Sequence, residues 1–96
     1  MNQIVDRVIA RFGITREEFF TKTQRRDITD ARYVFYYIAT HRKIRNVFVL
    51  RFMEKNGLKV LHGSVIHGVK EMRYRIEEDP DYMKIIGEMQ KNLVIN

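Results

Sequence analysis

The chain has 96 residues, room for one core and no second, so residues 1–96 are read as a single domain. With 45% hydrophobic and 11% aromatic residues it is too apolar to stay disordered, and the absence of cysteine excludes disulfide staples, thiolate zinc sites and thiol nucleophiles. The net charge of +6 is concentrated, with thirteen basic against four acidic side chains in residues 22–75 and two against five in residues 76–96, a distribution that suits a polyanionic partner.

No apolar run approaches the ~18 residues of a membrane span, and the opening MNQIVDRVIARF interleaves acids and bases on a helical period, unlike a signal peptide. In that opening Ile4, Val5, Val8, Ile9 and Phe12 share one helical face, and Gly13 supplies a left-handed stop. Thr15 and Glu18 have the spacing of a capping box, which predicts a short second helix carrying Phe19 and Phe20 inward. The polar stretch KTQRRDIT, residues 22–29, reads as a basic loop. A third helix then runs to about Arg42, with Asp27 or Thr29 as its cap and Ala31, Val34, Phe35 and Ile38 as its buried stripe. Tyr33, Tyr36 and Tyr37 flank that stripe and read as rims with their hydroxyls in water.

A fourth helix is predicted from about Ile44 through Val47, Leu50, Phe52 and Met53, ended by Asn56-Gly57. After the link LKVL, a fifth begins near His62 or Gly63 and buries Val65, Val69, Met72 and Ile76. Asp79 followed by Pro80 marks the start of a last helix with Tyr82, Ile85, Ile86, Met89 and Leu93 inward. With one proline and five glycines there is little punctuation for a β-rich fold, and an all-α bundle of about six helices is expected.

No enzyme template is present: there is no glycine-rich phosphate loop and no His-Glu-x-x-His. His62 and His67 lie about 140° apart on one helix, so they do not chelate a metal from one face. The acidic groups Glu17-Glu18 and Glu77-Glu78-Asp79 read as solvated helix ends. The chain is therefore expected not to be an enzyme and to use no metal, cofactor or small-molecule substrate. The fourth and fifth helices are instead spaced like a helix-turn-helix with a lengthened link. His62, Gly63 and Ser64 at the start of the fifth helix are small or hydrogen-bonding, as close approach to base edges and phosphates requires, and His67 and Lys70 lie off its buried stripe.

These motifs resemble the C-terminal DNA-binding domain of the bacterial chromosomal replication initiator DnaA. The resemblance covers residues 4 to about 93. It is carried by the apolar opening helix with its Phe-Gly stop, by Lys22, by Asp27 to Arg32, and by VIHGVKEMRYRIEEDPDYMKII, similar to that family's Val-Ile-His helix and its Glu-Asp-Pro tail. It implies a Trp-repressor-like helix-turn-helix fold, with Arg32 entering a minor groove and Lys22 in a loop along phosphates. His62 matches the family's reader helix and Ser64 keeps its hydroxyl, whereas Leu61 stands for an acidic base-reading residue and Gly63 for a threonine. The family's recognition sequence is thus not implied. The ATPase domain that precedes this one in the family is not part of the sequence, which is read as a stand-alone divergent homologue.

The function expected from residues and resemblance together is binding of double-stranded DNA, in the cytoplasm and nucleoid-associated, in replication initiation or its regulation. The fifth helix would enter the major groove with His62, Gly63, Ser64 and His67 near bases, while Lys22, Arg25, Arg26, Lys59 and Lys70 contact the backbone. Two alternatives stay open: a protein-interaction module binding replication or regulatory proteins, suggested by Tyr33, Tyr36, Tyr37 and Tyr74, and a dimeric transcription regulator on the same fold.

Overall fold

The computed structural model describes residues 1–91 and Leu93. Its helices are α1 (Asn2–Phe12), α2 (Arg16–Phe19), α3 (Arg26–His41), α4 (Asn46–Lys55), α5 (His62–Glu78) and α6 (Pro80–Gln90), and no strand occurs among the described residues. The punctuation read from the sequence acts where it was expected. Gly13 ends α1 at φ 66°. The Thr15 hydroxyl accepts from the Glu18 amide while the Glu18 carboxylate accepts from the Thr15 amide, closing the capping box on α2. The Asp79 carboxylate accepts from the amide of Asp81, and Pro80 opens α6.

The core is organised around α3, which packs against each of the other helices. Its buried residues include Ile28, Ala31, Val34, Phe35, Tyr36, Tyr37, Ile38 and Ala39, so it is covered on nearly every side, as expected of a central helix and not of a surface one. Beneath it Phe19, Phe20, Phe35 and Phe52 pack at tilted and edge-on angles, with centroids 4.9 to 5.8 Å apart.

Four expectations are corrected. First, Tyr36 and Tyr37 are not rims in water: Tyr36 is 2% exposed, and burial pushes its hydroxyl up to about pKa 12. The reason lies on α5, where Gly68 has no side chain. A Cβ there would stand 2.7 Å from Cδ1 of Tyr33 and 2.9 Å from Cδ2 of Tyr36, so this glycine lets α5 close over the tyrosine face.

Second, α3 begins at Arg26, inside the stretch read as loop. Arg25 is its N-cap without a side-chain cap bond, and neither Asp27 nor Thr29 caps it. Asp27 instead sits in the first turn, where the helix dipole favours an anion, and Ile28 beside it is buried. Third, the buried residues of α4 are Val49 and Met53, with Leu50 and Phe52 half-buried; Val47 faces outward, 43% exposed. Fourth, α6 ends at Gln90, so Leu93 is buried from beyond the helix.

Candidate nucleic-acid interface

The link between α4 and α5 covers six residues, Asn56 to Leu61. Gly57 turns the chain at φ 103°, and the Leu58 amide then donates to the Met53 carbonyl, burying the leucine under the turn. Lys59 points into solvent and Val60 is half-buried. Leu61, the N-cap of α5, is 70% exposed and offers no side-chain cap. His62, Gly63 and Ser64 follow on the first turn, all exposed, and a Cβ on Gly63 would meet nothing within 4 Å. No neighbouring element covers this end of the helix. Its one described side-chain tie is between His62 Nε2 and Asn46 Nδ2, 3.1 Å apart, which joins the starts of α4 and α5.

On one flank of α5 lies the basic loop. Gln24, Arg26, Thr29 and Tyr33 face His67, Glu71 and Arg75 across an open cleft of about 380 Å³. The Tyr33 and His67 rings meet edge to face at 5.7 Å. Arg75 donates to Asp30 at 2.8 Å and lies 3.5 Å from Glu71; burial pulls its pKa down, and the bond and charge of Asp30 more than reverse this. Arg26 and His67 therefore border one cleft, one turn from the helix tip.

The other sequence-derived residues divide. Lys22 is exposed. Arg25 faces the opposite way, toward α2, in a separate cleft with Glu17, Glu18 and Thr23, and is held by Glu18 at 2.6 Å and Asp27 at 2.9 Å. The hydrogen bond from the Thr15 amide, then the bond from Arg25, holds the Glu18 carboxylate below its usual range; Arg25 does the same to Asp27.

Arg32 is corrected. It is 9% exposed, and its guanidinium donates from Nε to the Phe19 carbonyl at 2.9 Å and from a terminal nitrogen to the Thr21 carbonyl. A side chain that binds the carbonyls under the loop shapes that loop from within and has no reach to a groove. Burial pulls its pKa down, although it stays a cation at any physiological pH.

On the opposite flank, Lys70 lies in a groove that sequence reasoning did not isolate. Thr40, Asn46, Ile66, Val69 and Arg73 complete its lining, around about 380 Å³. Thr40, Val69 and Arg73 also line a smaller recess of about 180 Å³ with Tyr37, His41 and Lys43. No carboxylate lines either, and no ion pair involves Lys43, Arg45, Lys70 or Arg73 among the described residues. The run HRKIR at residues 41–45 was the available signal for this flank.

Among the described residues no helix is long and apolar enough to cross a membrane. Compared with known protein families, with curated proteins and with solved structures, the chain matches none.

Proposed function

We propose that this domain binds double-stranded DNA through the pair α4 and α5, as a helix-turn-helix of the Trp-repressor type, with the start of α5 in the major groove and the basic loop along one phosphate strand. The observation that carries the reading is that Arg26 of the loop and His67 of α5 share one cleft beside an uncovered helix tip. Small and polar residues at that tip, His62, Gly63 and Ser64, leave room for base edges and let the first amides of α5 meet a phosphate. A part in replication initiation or its regulation belongs to the same proposal, through the DnaA-like motifs.

The test is a titration of mixed-sequence duplex at about 50 mM salt, followed by a salt series. If about five phosphates are neutralised, log K against log salt has a slope on the order of −4 to −5, and a flat response contradicts the reading. Selection of duplexes from a random pool then reports the site. Ser64→Ala and His62→Ala should each change preference at one or two bases by roughly 1–3 kcal/mol.

A second reading, a protein-interaction module or dimeric regulator, is favoured by the exposed side chains of Val47, Phe48, Leu61 and Ile66 on α4 and the start of α5. Tyr36 and Tyr37, being buried, lend it nothing. A doubled mass in solution together with a palindromic selected site would favour it.

A further inference from the structure

We propose that the groove between the last turn of α3, the first turn of α4 and the flank of α5 is a second phosphate site, which holds the DNA strand opposite the one along the loop. The inference rests on the duplex-binding reading above; of the residues it uses, the sequence singled out Lys70 alone as a backbone contact, and Lys43, Arg73 and Asn46 are new to it.

The groove and its recess present ammonium, guanidinium and amide groups, from Lys43, Lys70, Arg73 and Asn46, with no carboxylate to neutralise them. At the neighbouring start of α4 the N-cap, Arg45, makes no side-chain bond to the helix amides. Cations and unsatisfied donors together are what a phosphodiester oxygen requires.

Lys43 has φ 63°, in the left-handed region that glycine and asparagine occupy at least cost. Hydrogen bonds from the Lys43 amide to Thr40 and from the Ile44 amide to Ala39, both 2.9 Å, fix the stop of α3 in that form. A lysine at this position sets a charge on the recess where glycine would end the helix with less strain.

The wall of the groove, Asn46, is tied to His62 at the tip of α5, so an occupant of the groove lies alongside whatever the tip contacts. With the loop on the other flank, α5 is straddled by cations, as a helix in a major groove between two phosphate strands would be.

The experiment measures affinity for one mixed-sequence duplex across a salt series, for the unaltered chain and three double variants. Lys43→Asn with Arg73→Gln removes two charges from the groove, and asparagine tolerates the left-handed backbone. Lys70→Gln with Arg73→Gln removes two from the face of α5 without touching the turn. Arg11→Gln with Lys84→Gln removes two from α1 and α6 and serves as the control. Both groove variants should flatten the slope by roughly two, the control by none of it. Groove variants that behave like the control overturn the second site alone and leave the duplex reading standing. An unaltered chain that fails to bind duplex overturns both.

Discussion

The two flanks of α5 are both rich in cations and differ in what those cations do. On the loop flank Arg75 is clasped by Asp30 with Glu71 near it, Arg25 is turned away toward α2 and clasped by Glu18 and Asp27, and Arg32 is spent on the carbonyls of Phe19 and Thr21. On the opposite flank Lys43, Lys70 and Arg73 are in no ion pair among the described residues. Formal charge in a sequence is thus not the field available to a partner. Much of the loop's charge builds the loop, and the charge left for a polyanion there falls to Lys22 and Arg26.

Breaking the loop flank has the largest expected effect. Arg32→Ala strands two carbonyls beneath the loop and removes the stem that covers them, at a cost of about 3 kcal/mol in a urea-unfolding experiment. Lysine at the same position restores little, since an ammonium lacks the fork that spans two acceptors. An unchanged midpoint for Arg32→Ala would contradict the internal role. Gly68→Ala comes next, roughly 1–3 kcal/mol, because the added methyl drives α5 off the Tyr33 and Tyr36 rings and away from the loop cleft.

Thr15→Ala removes half of the capping box on which α2 and the loop hang, about 1 kcal/mol in the same assay. Glu18→Gln keeps a capping side chain and releases one partner of Arg25, so the salt slope of duplex binding should steepen by less than about one. The pH dependence follows the same pair. Glu18 and Asp27 titrate below their ordinary 4.5 and 3.8 in the folded chain, so their contribution is complete above those values and is lost as pH falls through the depressed ones. Stability should therefore be insensitive to these two groups near neutrality and decline in acid, as followed by helical circular dichroism.

Much of the fold was legible because its punctuation is local. Gly13, the Thr15–Glu18 box, Asn56-Gly57 and Asp79-Pro80 act within a few residues of themselves, and each ends or starts the helix predicted from it. What was not legible depends on a distant element. The tyrosine face of α3 reads as a rim until Gly68, more than thirty positions on, lets α5 cover it. Arg32 reads as a free cation until the carbonyls of α2 and its exit are known to lie over it. The tip of α5 was locatable to within a residue, near His62 or Gly63, since nothing longer-range overrides its start at His62. The groove at Lys43 and Arg73 was not, because its walls come from three helices whose juxtaposition no spacing reports.

On the proposed reading, duplex DNA is met by the start of α5 together with both of its flanks. Amide chemical-shift mapping of the chain on addition of a mixed-sequence duplex tests this most directly. Shifts are expected at residues 22–26, 40–46 and 61–70, with α1 and α6 unmoved; shifts gathered on α1 and α6, or none at all, would overturn the proposal.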